Sequence, residues 1–188
     1  MSTQAMRTLL LGSIIREFER RVNQFFKYCE VHPEATFPDL EHQARCFSQD
    51  CFASVLEAGV QSRRNSAEAT PRCRCGRPMA YKGDQVRELT TYVGRIRWRR
   101  GYYYCRRCRQ GRYPLDEALG LEAGQFSDGI QAGVSRLAAR EPFEAAAEDF
   151  TALTLVHISG REVERVGEAC GQRLETHRQA ERARLLAG

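Results

Sequence analysis

Apolar residues in the first third of the chain recur at helical steps. Leu11, Ile15, Phe18, Val22, Phe25 and Cys29 follow one another at intervals of three and four, which predicts an amphipathic helix between Met6 and Cys29. The charges Arg16, Glu17, Glu19, Arg20 and Arg21 fall mostly off that stripe. Pro33 and Pro38 mark a break, and Thr36-Phe37-Pro38-Asp39 has the form of a helix start: a hydroxyl cap, proline in the first turn and a carboxylate three residues on. Leu40, Ala44, Phe47, Cys51, Val55 and Val60 then trace a second stripe. Residues 1–60 are therefore expected to form a helical hairpin. Such a hairpin alone covers its apolar stripes poorly, so it is expected to pack on the rest of the chain or on a second copy.

Residues 61–70 are polar and without period, and read as a linker. The pattern then changes. From Val86 to Tyr104 the chain is rich in β-branched and aromatic residues, and Arg95-Ile96-Arg97-Trp98-Arg99 alternates strictly, as a strand with one basic and one apolar face does. Pro114 to Leu121 reads as a connector with one helical turn. Helical spacing returns with Ile130, Val134 and Leu137 after a Ser127-Asp128 cap. It continues with Phe143, Ala146, Ala147 and Phe150 after Pro142, and then with Val163, Val166, Cys170 and Leu174 after Ser159-Gly160-Arg161-Glu162, which has capping-box spacing. Thr151 to Ile158 reads as a turn. The expected fold is α+β, mostly α: a helical hairpin (1–60), a linker (61–70), a basic ribbon of antiparallel strands (71–121) and a trihelix resembling a helix-turn-helix (122–188).

At 188 residues the chain has room for one ordinary domain or two or three small ones. The longest apolar run falls far short of the roughly 20 residues of a membrane span, and the start of the chain lacks the pattern of a secretion signal. Eight cysteines at this length are too few for a secreted disulfide scaffold. A cytoplasmic protein with no membrane contact is expected. The net charge of +5 conceals an asymmetry: residues 71–113 hold 13 Lys and Arg against Asp84 and Glu88 alone, while the remainder is net acidic. Charge divided in this way points to a polyanion-binding module in a neutral to acidic frame.

The cysteines sharpen the picture. Cys73-Arg74-Cys75 and Cys105-Arg106-Arg107-Cys108 are two close pairs joined by strand-forming sequence, the arrangement by which a zinc ribbon brings four thiolates to one ion. No histidine lies between His42 and His157, so the four ligands would be Cys73, Cys75, Cys105 and Cys108, with zinc expected and iron compatible with the same cage. Gly76 and Gly111 suit the tight turns of such knuckles. Cys29, Cys46, Cys51 and Cys170 lie on or beside apolar stripes and read as core residues. Arg95, Arg97, Arg99, Arg100, Arg106, Arg107, Arg109 and Arg112, interleaved with Tyr102, Tyr103 and Tyr104, suit contact with phosphates and stacking on sugars or bases. Ile96, Trp98 and one or two of the tyrosines are expected inside. Arg161 and Arg165 fall early on the third helix of the trihelix, where a helix-turn-helix reads base edges.

The run Gly94-Arg95-Ile96-Arg97-Trp98-Arg99-Arg100, then Tyr102 to Cys108 with Gly111, then Pro114-Leu115-Asp116-Glu117-Ala118-Leu119-Gly120-Leu121, resembles the N-terminal half of insertion-sequence transposases of the ISKra type. Cys73-Arg74-Cys75-Gly76, Pro142-Phe143-Glu144-Ala145-Ala146 and Ser159 to Arg165 extend the resemblance over about Pro71 to Gly171. It implies a bacterial, zinc-dependent module that binds the terminal repeats of its element as double-stranded DNA. Transposases of this kind continue into a DDE catalytic domain, for which the residues after Ser159 leave no room. Asp116 and Glu117, being adjacent, supply no two-metal triad and read as a helix-start or turn feature. A fragment that binds DNA without strand-transfer activity is expected, truncated or split before that domain and self-associating or joined by a separate catalytic subunit. The alternative is a zinc-ribbon adaptor that docks a protein partner.

Overall fold

The computed structural model describes residues 3–64, 70–121 and 123–187, and divides into two compact units. The first comprises the chain up to Leu89 together with Val93–Gln125; the second comprises Thr90–Tyr92 and the chain from Phe126 onward.

In the first unit, α1 (Thr3–Val31) and α2 (Phe37–Ser62) form the expected hairpin. Thr36 caps α2, with its amide and hydroxyl both donating to the Asp39 carboxylate, which is held below its usual pKa by those bonds. The seam takes in only part of the stripe read from the sequence: Val22, Phe25 and Cys29 are half-buried, and the Phe18 ring meets Phe47 of α2 at a centroid distance of 5.6 Å. Toward the start of α1, Leu10, Ile14 and Glu17 line a cleft together with Ser54, Glu57, Ala58 and Gln61 of α2, and further along Arg21 pairs with Asp50. Leu11, Ile15 and Phe18 lie one position round the helix and are about half exposed, at 54%, 48% and 50%. No residue of α2 is fully buried. Helical period locates an apolar face, but the partner's position decides which edge of it becomes the seam.

α2 reaches Ser62, two residues into the segment read as linker; the rest of that reading falls largely on residues 65–69, outside the described ones. Hairpin and ribbon, read as separate domains, belong to one unit, because α2 packs along the sheet. The sheet has the order β1-β2-β3, with β1 (Ala80–Thr91), β2 (Gly94–Cys105) and β3 (Gln110–Arg112). β1 and β2 join through Tyr92-Val93 with Gly94 at φ 100, a left-handed backbone that glycine adopts freely. β3 pairs antiparallel with only the end of β2, Tyr103 opposite Arg112 and Cys105 opposite Gln110. That leaves an open edge beside Arg97 and Arg99. Their amides donate instead to Glu57 Oε1 (2.7 Å) and Gln61 Oε1 (3.3 Å) of α2, so a helix covers the edge.

Leu89, Ile96, Trp98 and Leu115 make the core of this unit, with Ala53 and Val60 of α2 and Leu119 and Leu121 packed on it. Leu115 comes from α3 (Pro114–Ala118), the one-turn helix expected in the connector.

The second unit is a three-helix bundle of α4 (Asp128–Ala138), α5 (Phe143–Thr154) and α6 (Gly160–Ala187). The caps follow the sequence reading: the Ser127 hydroxyl accepts from the Ile130 amide, and Ser159 and Glu162 form a reciprocal box. Ile130, Val134, Ala146, Ala147, Phe150, Val156, Ile158, Val163 and Val166 are its buried core. The segment 151–158 is not all turn. α5 runs on to Thr154 and ends at Leu155, which takes a left-handed φ of 58. α6 is exposed from Gly171 to Leu186, and Leu174, expected on its apolar stripe, is 57% exposed.

Candidate metal centre and basic surface

Two small turns bring the cysteines together. Around the first pair, Arg72 and Pro78 bridge, the Cys73 amide donates to the Arg77 carbonyl (2.9 Å) and the Gly76 amide to the Cys73 carbonyl (2.8 Å). Gly76 takes φ 79, as a knuckle glycine should. The second pair spans the β2–β3 turn, where the left-handed position belongs to Arg109 (φ 53) rather than to Gly111. Gly111 serves another purpose. It lies in β3 opposite Tyr104, and a Cβ there would overlap the Tyr102 ring. Gly111→Ala is expected to displace that ring at a cost of about 1–3 kcal/mol, read as a lower denaturation midpoint at unchanged slope.

The sulfurs of Cys73, Cys75, Cys105 and Cys108 all lie within 4.8 Å of one another, and these four residues could hold a metal ion. Cys75 Sγ and Cys105 Sγ are 3.8 Å apart. That is the edge of a tetrahedron of sulfurs around an ion with bonds of about 2.3 Å. Cys73 and Cys105 are buried, Cys75 is half-buried and Cys108 is exposed. The Arg77 amide and the Cys108 thiol, both donating to Cys75, bring its pKa down to about 7. Cys108, donating to Cys75 and Cys73, is pushed up to about 12. Deprotonated together, four sulfurs this close would need a cation among them, and four protein ligands would close its coordination shell.

Cys29, Cys46, Cys51 and Cys170, read as core, are only half-buried. Burial still raises the Cys51 pKa, and Cys46 Sγ lies 3.7 Å from His42 Nε2.

The arginines divide in two. Arg95, Arg97 and Arg99 alternate along the exposed face of β2, while Ile96 and Trp98 between them are 2% and 3% exposed. Arg97 Nε contacts Glu88 at 2.8 Å, a surface pair of little net strength. Arg106, Arg107 and Arg109 are exposed on the turn that carries Cys108. On the second unit, Arg161 and Arg165 are exposed on the first turns of α6.

Arg100 corrects the sequence reading. It is not on the surface face but largely buried, with a side chain 15% exposed. It pairs with Asp116 and lies 3.7 Å over the Tyr113 ring. Arg87 Nη1 donates to the same Asp116 oxygen at 2.6 Å. Burial lowers the pKa of both guanidiniums. The cause is strand parity: Arg100 stands two residues beyond Trp98 and Arg87 two before Leu89, so both point inward. Asp116 does stand in the first turn of α3, as expected, but it is also the buried acceptor of this cluster, which the sequence reading missed. Arg112 is committed as well. It pairs with Glu117, which raises its pKa, and donates to the Arg72 carbonyl (2.9 Å). None of Tyr102, Tyr103 and Tyr104 is fully inside, contrary to expectation; they are half-buried, with tilted ring contacts of Tyr102 to Tyr113 at 5.1 Å and Tyr103 to Tyr81 at 5.4 Å.

Among the described residues no helix is long and apolar enough to cross a membrane. No curated protein and no solved structure matches the chain. A family model does match residues 34–185, a span that takes in α2, the cysteine cluster, the basic strand and the helical bundle, and the chain thus belongs to the uncharacterised protein family UPF0236.

Proposed function

We propose that this protein is a zinc-stabilised DNA-binding module of an insertion-sequence transposase, which grips the duplex through the basic face of its sheet. One observation carries the reading. Arg95, Arg97 and Arg99 stand exposed on a single strand face, and Arg106, Arg107 and Arg109 continue the positive charge around the second cysteine turn. Alternate strand residues step by about 6.8 Å, so the three side chains of β2 can follow a phosphate backbone. Glu88, the carboxylate beside Arg97, is itself exposed and readily exchanged for a phosphate.

Zinc suits the cysteine cage because an all-sulfur tetrahedral site favours it, and the complex would carry a formal charge of about -2 that the neighbouring arginines offset. Bound there, the ion would hold the two turns together and leave no open coordination position for chemistry. Arg161 and Arg165, early on α6, would add preference for the ends of the element.

Salt dependence tests the proposal. Replacing Arg95, Arg97 and Arg99 together with Ala should flatten the slope of log affinity against log salt by about two to three units and weaken binding to all sequences alike. Replacing Arg161 and Arg165 should instead narrow the gap between the element's end and random DNA, by about 1–3 kcal/mol per lost base contact. A triple variant with the affinity and salt slope of the parent protein would overturn the reading. An adaptor that docks a protein would then stand in its place, which the exposed apolar side of the hairpin favours.

A further inference from the structure

The α1–α2 hairpin has two broad sides. One carries Ala53, Val60 and Glu57, which meet the sheet core and its edge. The other faces away from the sheet and carries Leu11, Ile15, Phe18 and Phe26 of α1 beside Phe52 and Val55 of α2, each between 46% and 59% exposed. The two rows form one surface, because Phe18 touches Phe47 across the seam at a centroid distance of 5.6 Å. Three acidic residues of the same stretch are turned out of it: Glu17 to Arg20 and Arg21, Asp50 to Arg21, and Glu57 to the amide of Arg97. Ser48, Cys51 and Gly59, small and uncharged, lie between its apolar members on α2.

We propose that this face is the contact between two copies of the chain, which join hairpin to hairpin as a four-helix bundle. Size is the first argument. Six half-exposed large side chains leave on the order of 600 Å² of apolar surface open, at or above the largest patch of a typical monomer and close to the roughly 800 Å² per partner of a standard interface. Symmetry is the second. An antiparallel hairpin presents rows running in both directions, so a two-fold rotation lays the face on itself with its apolar rows matched. Electrostatics is the third. The charges on the face, Glu19 on α1 and Glu41 and Arg45 on α2, are few and of both signs, so a second copy meets little like-charge repulsion. That mixture of signs suits a copy better than an anionic lipid surface.

The mass of the full-length protein in solution tests this. At about 50 µM, far above the dissociation constants typical of interfaces of this size, sedimentation equilibrium should give the mass of two chains. Ile15→Glu combined with Val55→Glu should weaken the association at least tenfold, with helicity and metal content unchanged, since neither residue is buried. The milder pair Ile15→Ser and Val55→Ser should do the same by a smaller factor, which keeps the test valid if the charged pair folds poorly. A single-chain mass for the parent protein at that concentration would overturn the proposal and assign the face to another occupant. So would a dimer whose affinity survives both variant pairs.

Discussion

Cys105→Ser is expected to abolish metal binding and to unfold the two cysteine turns, while Cys170→Ser leaves both intact. The reason lies in how little else holds these turns. Their buried cluster consists of Cys73, Met79 and Cys105, with Cys75 and Tyr103 against it. A core of that size cannot offset the conformational entropy of ordering the turns, whereas structural zinc sites of this kind supply about 10–16 kcal/mol near neutral pH. Acid should have the same effect as the substitution. The ligands must be thiolates, so protons compete with the metal, and affinity falls as pH falls. Metal analysis alongside circular dichroism reads both effects. One equivalent of tightly held metal in Cys105→Ser, or a folded ribbon after the metal is stripped under reducing conditions, would contradict the expectation.

Asp116→Ala is expected to cost about 3–5 kcal/mol, the usual penalty for removing one partner from a buried ion cluster. Asp116 is 5% exposed and accepts from Arg87 and Arg100 on one oxygen, Oδ2. Its loss leaves two desolvated guanidiniums close together beneath the Trp98 core. Asp116→Asn keeps the shape and loses the charge, so it should be nearly as costly; that outcome separates electrostatics from packing. Urea denaturation of the metal-loaded protein measures both variants. Replacing Arg87, Asp116 and Arg100 together with apolar residues should recover much of the loss, because a buried ion cluster gains little over a well-packed apolar one. A near-neutral Asp116→Ala would mean that neighbouring groups already balance the two arginines.

Much of this molecule is local, and local features are legible in the chain. The Thr36–Asp39 and Ser159–Glu162 caps need only residues three apart, and both form as read. The cysteine pairs are set by their spacing, and their convergence needs only a hairpin between them. The alternation of Arg95 to Arg99 puts Ile96 and Trp98 inside whatever lies across the sheet. The same period placed Arg100 and Arg87 inward, and only the pull of charge toward water argued otherwise. What reversed it was Asp116, which arrives from α3 and makes burial tolerable, and no pattern within β2 announces a carboxylate from another element. The hairpin shows the same limit. Its apolar residues span more of each helix than one neighbour can cover, and period alone gives all of them equal claim to the seam. Tertiary structure decided that Leu10 and Ile14 are half-buried beside α2 while Leu11 and Ile15 stay open, because α2 is also held to the sheet edge by Glu57 and Gln61, and that second attachment sets its rotation against α1.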